Sequence, residues 1–524
     1  MKTKNIFVTI LFLNIIGTTV SAQSTFQKSL GGSAEDFGTT LKPTSDNGFI
    51  LVGTTASYGA GGDDIYLIKL NADGDTIWTK TYGGSDDEYG SSVKQTSDGG
   101  YIISGDTKSF GVAGKDVYLI KTDMNGNLSW SKTFGSVGND YGNTVLQTTD
   151  GGYLVSGTTE NIGAGNYNVY FIKINSTGDT LWTKTYGGAL EDDGNYVIQT
   201  SGGGYIMIGT TVSFGAGGDD IYVIKTNSSG DTLWTKSYGG IADDYGFSID
   251  ETTDEGFILT GTTKSYGAGD FDCYLLKINT SGDVEWSKTY GSSATDIAGS
   301  VLQTNDGGYI MLGQSFGFGI ASDLYLVKTN ATGDTAWTRI YGGSDYEFES
   351  CVLQTSDGGY LISAGEESFG PDRDIYLIKT DADGNSGCYQ GSTPTIINSM
   401  TMPSWNTATI ISAGGTTSTP GTIKSAGCIV NTFCTTVAIN ESVVSPLIII
   451  YPNPADDFLE IKNSFSGNEN ATVKIFDVTG KEIFTSKISS SNFKIQTSEF
   501  SDGIYFCQLK SNDKIFNQKF IVQH

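Results

Sequence analysis

The sequence predicts an all-β protein: a seven-bladed β-propeller closed by its own N-terminal strand, followed by a small C-terminal β-sandwich. Three observations carry this. Trp78, Trp130, Trp182, Trp234, Trp286 and Trp337 recur at spacings of 52, 52, 52, 52 and 51 residues, a period suited to propeller blades and too long for a β-helix coil. Each interval reads as four short strands punctuated by turn chemistry; in residues 82–134 they are Ser91–Thr96, Gly100–Thr107, Asp116–Thr122 and Leu128–Phe134, with turns at Ser97-Asp98-Gly99 and Met124-Asn125-Gly126. Finally, the last repeat has Cys388 where tryptophan is due and no fourth strand after it, while Phe26-Gln27-Lys28-Ser29-Leu30-Gly31-Gly32 is an orphan strand of that type. Joining the two ends makes seven blades and leaves no blade with an unpaired edge.

Taken in order, residues 1–22 form a signal peptide: Lys2 and Lys4, an apolar run Ile6–Ile16, then Val20-Ser21-Ala22, with cleavage between Ala22 and Gln23. Residues 23–388 are the propeller. Residues 389–446, rich in Ser, Thr and Gly, read as a linker or cap with apolar patches such as Ile410-Ile411 adding a strand or two. Residues 447–524 form a second all-β unit. No later apolar run is long enough for a transmembrane segment in the mature chain.

The formal net charge of −27 disfavours nucleic acid as a partner, since a phosphate backbone would meet like charge. The only histidine is His524, which excludes Ser-His-Asp and Cys-His nucleophile systems and any histidine metal site in the propeller. Two-carboxylate glycoside chemistry needs one unequal acid pair, whereas the acids here repeat. The expectation is that the protein is not an enzyme.

Asp36, Glu88, Asp140, Asp192, Asp244, Asp296 and Glu347 stand just before strand one of successive units. Asp64, Asp116, Asn168, Asp220, Asp272, Asp323 and Asp374 open strand three, and lysines recur on strand three (Lys69 to Lys379) and strand four (Lys28 to Lys288, then Arg339). A ring of acids must be compensated. The readings are internal ion pairs with these bases or turn hydrogen bonds or, for the ring before strand one, calcium or another hard cation; no other cofactor is expected.

In a meander the four-to-one and two-to-three loops leave on one face. That face would carry Tyr58, Phe110, Phe214, Tyr266 and Phe369 beside the acidic loops, a candidate surface for a glycan or protein ligand, unless the rings pack down over the blades. A site breaks symmetry, so units six and seven draw attention, above all Glu349, which replaces a repeat glycine. Among Cys388, Cys428 and Cys434, two would pair in an oxidising compartment.

The tail is the most specific segment. Tyr451-Pro452-Asn453-Pro454 with Asp456-Asp457-Phe458-Leu459, then Val473-Lys474-Ile475-Phe476-Asp477-Val478-Thr479-Gly480, then Asp502-Gly503-Ile504-Tyr505, resembles the type A sorting domain of type IX secretion cargo. The repeats resemble, more loosely, glycine-rich β-propeller repeats of Bacteroidota surface proteins. The resemblance implies export by the signal peptide and the type IX machinery as partner, with the product secreted or held on the outer cell surface. The function expected is a binding or scaffold module for glycan or protein ligands; the alternatives are a purely structural surface or matrix protein and, less favoured, a carboxylate-dependent hydrolase or lyase.

Overall fold

The computed structural model describes residues 23–370 and 372–400, and from 404 to 523 a series of separate segments. Ala22, the far side of the expected signal cleavage, lies outside them. The chain divides into one compact unit, Ser21–Ala438, and a second that includes Ile439–His524. Every regular element among the described residues is a strand.

The first unit is a propeller-like repeat of seven five-stranded antiparallel sheets. The second sheet is typical, with Glu88–Gln95 innermost, then Tyr101–Thr107, Asp116–Thr122 and Leu128–Gly135. The two middle strands are buried at every position, as expected of short apolar and β-branched runs covered on both faces. Apolar clusters bridge neighbouring sheets: Val52 and Ile65 of the first meet Val93, Ile103 and Tyr118 of the second. Another cluster joins Phe26 and Leu30 to Leu41 and Leu51 of the first sheet and to Leu361, Ile375 and Leu377 of the seventh.

Gln23–Gly31 pairs with Asp374–Lys379, the last strand of the seventh repeat, with Phe26 opposite Lys379 and Leu30 opposite Ile375. Gln27 makes the junction specific. Fully buried, it donates through Nε2 to Ser386 Oγ at 2.7 Å and Cys388 O at 2.5 Å, and its Oε1 accepts from the Tyr376 hydroxyl.

Where composition reads a linker or cap, residues 390–438 carry seven short strands, each pairing with the outer strand of one sheet. Gln390–Gly391 takes the sixth sheet, Ile396–Met400 the fifth, Ser404–Asn406 the fourth and Ile410–Ser412 the third. Thr416–Ser418 takes the second, Ile423–Lys424 the first, and Ile429–Ala438 pairs along Gln23–Gly31. The belt thus visits the sheets in reverse chain order and covers edges that would otherwise offer unpaired N–H and C=O groups. Cys388 at its start is disulfide-bonded, while Cys273, Cys351 and Cys507 are free thiols.

The second unit has a three-stranded sheet (Ile448–Tyr451, Phe458–Asn463, Asn492–Gln496) and a four-stranded one (Glu482–Ile488, Ala471–Asp477, Gly503–Ser511, Lys514–Val522). Leu459, Ile461 and Ile495 of the first share a core with Val473, Ile475, Leu509 and Phe520 of the second, a small β-sandwich. Within it Tyr505 donates to Ser501 O at 2.7 Å and stacks on Phe520, next to the strand-opening Gly503. Pro452, Asn453, Pro454 and Gly480 of the sorting motif lie outside the described residues, and Tyr451 ends a described strand.

Tyrosines at the end of strand four rivet five of the seven sheets to the next repeat. Tyr186, Tyr238 and Tyr290 are fully buried and donate to Gly230, Gly282 and Gly333 carbonyls at 2.6, 2.7 and 2.6 Å. Phe134 occupies the same place in the second repeat without the hydroxyl. Tyr238→Phe is therefore expected to fold normally and lose about 1 kcal/mol, while Tyr238→Ala loses about 3–5 kcal/mol, both read by urea unfolding.

Candidate functional site

The recurring acids are interior. Asp36, Glu88, Asp140, Asp192, Asp244, Asp296 and Glu347 are each 0% exposed. They clasp the loops above them: Glu88 Oε2 accepts from Gly84 N at 2.6 Å and its Oε1 from the Thr107 hydroxyl at 2.6 Å, and Asp244 Oδ2 accepts from Gly240 N and Ser265 Oγ, both at 2.7 Å. Asp192 and Glu347 hold Gly188 N and Gly343 N in the same way.

Each meets the acid opening strand three of the preceding repeat. A Cβ on Gly239 would lie 1.9 Å from Asp220 Oδ1 and 2.8 Å from Asp244 Oδ2; on Gly342, 2.1 Å from Asp323 Oδ1 and 2.3 Å from Glu347 Oε2. Only glycine fits between such a pair. The same encounter brings Asp374 to Asp36 at Gly31 and Asp116 to Asp140 at Gly135, whereas Asn168 faces Asp192 at Gly187. The strand-two hydroxyls Thr55, Thr263 and Ser315 bond Asp36, Asp244 and Asp296 as Thr107 bonds Glu88, whereas Glu347 Oε2 has no hydrogen-bond partner among the described residues.

The lysines do not compensate these rings, contrary to the ion-pair reading. Strand-three lysines lie five residues along from the acids, about 17 Å at strand rise, and pair with turn aspartates at the far end: Lys69 with Asp46 at 3.0 Å and Lys121 with Asp98 at 2.9 Å. Strand-four lysines cross to the next repeat's turn, as Lys28 does to Asp75 at 2.6 Å and Lys236 to Asp283 at 2.7 Å. Burial therefore pushes the acids upward, Asp323 to about 6 by burial alone and, assisted by the paired carboxylate, Asp140, Asp220 and Asp374 to about 6 and Glu347 to about 8. Among the described residues no cluster of three or more His, Cys, Asp or Glu side chains could hold a metal ion.

Tyr58, Phe110, Phe214, Tyr266 and Phe369 are half-buried and lie down over their own sheets. Tyr58, Phe110, Phe214 and Phe369 sit 5.8, 5.6, 5.7 and 5.5 Å from Tyr66, Tyr118, Tyr222 and Tyr376, and Tyr58 and Tyr266 anchor through their hydroxyls to Gly31 O and Gly239 O.

Symmetry breaks most at the seventh repeat, where Glu349 and Ala364 replace glycines and Gly365 stands where four other repeats carry a threonine, whose hydroxyl accepts from the next repeat's backbone as Thr54 Oγ1 does from Gly90 N at 3.2 Å. A cavity of about 240 Å³ results, lined by Phe37, Thr39, Phe348, Glu349, Ser350 and Arg373. Arg373 lies 3.5 Å over the Phe348 ring; its Nε has no hydrogen-bond acceptor, Glu367 Oε1 standing 3.6 Å away. Burial raises Glu349 to about 7. Sequence reading singled out Glu349 because a lone acid in a glycine slot is visible; it missed Arg373 and Phe37, which only the meeting of the first and last repeats brings together.

Residues 449–523 match the family model of the secretion system C-terminal sorting domain. The type IX sorting domain directs the chain to the cell surface or the extracellular space, with the secretion machinery as its partner. No curated protein matches the chain. Among solved structures it is similar to PorZ, an essential surface component of the type IX secretion system of Porphyromonas gingivalis, at 10% identity and a TM-score of 0.40, covering 94% of this chain and 60% of PorZ. The extracellular domain of a putative one-component system of B. thetaiotaomicron follows at 9% identity, TM-score 0.19, covering 93% of this chain and 81% of that one. A xylan β-1,4-xylosidase of Bacillus halodurans stands at 8% identity, TM-score 0.23, covering 73% and 99%. No helix among the described residues is long and apolar enough to cross a membrane.

An acid whose pKa is raised on folding holds a proton that the unfolded chain has released, so its contribution to stability is lost as pH rises through the folded value. Asp46, Asp150 and Asp306, lowered to about 2, contribute in the opposite sense, losing stability as pH falls toward that value. The melting temperature is expected to peak near the unfolded carboxylate value, about pH 4, and to drop by several degrees by pH 8, measured by calorimetry in matched ionic strength.

Proposed function

We propose that the repeats close into a seven-bladed β-propeller, exported by type IX secretion, that serves as a binding and scaffold module for glycan or protein ligands and is not an enzyme. Closure is supported by the pairing of Gln23–Gly31 with Asp374–Lys379 and by side-chain bonds that pass between innermost strands, including Ser350 Oγ to Thr39 O at 2.5 Å, which links the seventh repeat to the first. Lys42 Nζ reaches Tyr196 Oη of the fourth sheet at 3.3 Å, as expected where innermost strands converge.

The observation that carries the binding role is the cavity at Arg373 and Glu349, where three departures from the repeat, Glu349, Ala364 and Gly365, coincide and a guanidinium N–H is left without an acceptor. The half-buried rings around the same face would form its shoulders. Against catalysis, the carboxylates meet as like pairs in seam after seam, so no single pair is set apart as acid and base.

The cavity reading is tested with the mature full chain on a glycan and protein array. Arg373→Ala and Glu349→Gly, the second restoring the repeat residue, are expected to lower any saturable signal at least tenfold without loss of fold by circular dichroism. A ligand whose affinity ignores both changes, or no saturable ligand, favours the matrix alternative. The calcium reading rests on the unpartnered buried Oε2 of Glu347, which meets Asp323 across Gly342. It requires calcium to raise the melting temperature and chelation to lower it; if the pairs share protons instead, only pH moves it.

A further inference from the structure

In six of the seven repeats the turn after strand one builds the same small anion site, filled from within. Asp46 Oδ1 accepts from Thr44 Oγ1 at 2.5 Å, Gly48 N at 3.1 Å and Lys69 Nζ at 3.0 Å. Asp98 repeats this with Thr96, Gly100 and Lys121 at 2.5, 3.0 and 3.1 Å, and Asp306 with Thr304, Gly308 and Lys328 at 2.5, 3.0 and 3.0 Å. Asp150, Asp254 and Asp357 do the same in their repeats.

The fourth repeat keeps the donors and lacks the acceptor. Thr200, Gly204 and Lys225 stand in the three donor positions, but Gly202 replaces the aspartate. The space is not closed over: a cavity of about 330 Å³ opens there, lined among others by Lys225, Asn227, Leu233, Glu251 and Glu255. A Cβ built on Gly202 would meet only Thr200 Oγ1, at 3.8 Å, so the missing side chain is not excluded by crowding. Lys225 is half-buried where its six counterparts are at most 5% exposed; its ammonium turns to Thr280 O at 3.1 Å and lies 4.9 Å over the Phe257 ring.

We propose that this vacancy is a binding site for the carboxylate of a hydroxylated acid, a uronic-acid residue of a glycan, whose carboxylate takes the place that an aspartate fills in the other six repeats. The lysine, the threonine hydroxyl and the glycine amide form a ready-made carboxylate cradle with geometry given six times over by its siblings. Glu251, already bonded to Ser201 N and Oγ at 2.8 Å, and Glu255 present acceptors for sugar hydroxyls, and they would repel a second carboxylate on the same ring. Leu233, 60% exposed, offers an apolar edge for a pyranose face. Burial without an ion-pair partner lowers the Lys225 pKa, a cost that an arriving carboxylate removes. The site lies at the strand-one to strand-two turns, on the face away from the Arg373 cavity, and does not depend on the reading of that cavity.

The mature full chain is titrated calorimetrically with galacturonate, galactose, acetate and N-acetylalanine. Galacturonate is expected to saturate one site per chain and galactose to give no saturable heat. Gly202→Asp is expected to abolish galacturonate binding and to raise the melting temperature, because it installs the carboxylate its siblings carry; Lys225→Met is expected to weaken binding at least tenfold. Absence of saturable binding, or equal affinity in wild type and Gly202→Asp, overturns the site. Acetate or N-acetylalanine binding as tightly as galacturonate overturns the assignment to a sugar acid.

Discussion

Antiparallel pairing between residues near the two ends of the repeat array is the constraint on which the first unit rests. The seventh repeat supplies three strands and stops; Gln23–Gly31 supplies the fourth from the other end of the chain. Without it the outer edge of Asp374–Lys379 and the apolar cluster around Phe26, Leu30 and Leu377 would be open to water. Such a contact joins residues some 350 positions apart, so its loop-closure entropy is recovered only when the intervening sheets are formed. Gln27 shows how the junction departs from the repeat. Its neighbours in other units carry a small hydroxyl at this position, and the longer amide here reaches Ser386 and Cys388 in the stretch where a tryptophan strand is missing.

The belt depends on the same logic. In six of the seven sheets the fifth strand is only two to five residues long and gains little from side chains, but it covers a backbone edge. The longest belt strand, Ile429–Ala438, lies along Gln23–Gly31, so the N-terminal strand is held from both sides. Cys388, in the loop that Gln27 grips, adds a covalent tie.

Charge is partitioned by face. At one end of the strands lysines and turn aspartates neutralise one another; at the other, acids meet acids around a glycine and hold loops through hydroxyls and amides. That separation explains how an interior with so many carboxylates persists in a chain of net charge −27: burial favours the protonated form where no base is in reach. It also makes departures from the pattern chemically meaningful. Losing one aspartate at Gly202 leaves Lys225 without its carboxylate partner and turned to a backbone carbonyl, and gaining one glutamate at position 349 leaves an acid in a cavity beside an arginine.

Periodicity alone determined that the chain is all-β, where strands two to four of a repeat fall, and that the last repeat lacks one, because turn glycines are local signals that tertiary context rarely overrides; strand one begins at Glu88, three residues before the expected Ser91, so the recurring acids open that strand and do not precede it. The sorting tail was legible for the same reason, as motifs in a fixed order. Sequence also marked Glu349, since a charge in a glycine slot stands out against six siblings. Only the tertiary structure decided the partners of the lysines, because charges a few residues apart on one strand end at opposite faces of the sheet. Beyond the strand that the Ile410-Ile411 patch suggested, it alone revealed the belt, whose strands are specified by the backbone edges they cover. The same holds for Arg373 beside Phe37 and for the vacancy at Gly202, since a cavity or a missing acceptor is a relation between distant residues that no single stretch of sequence contains.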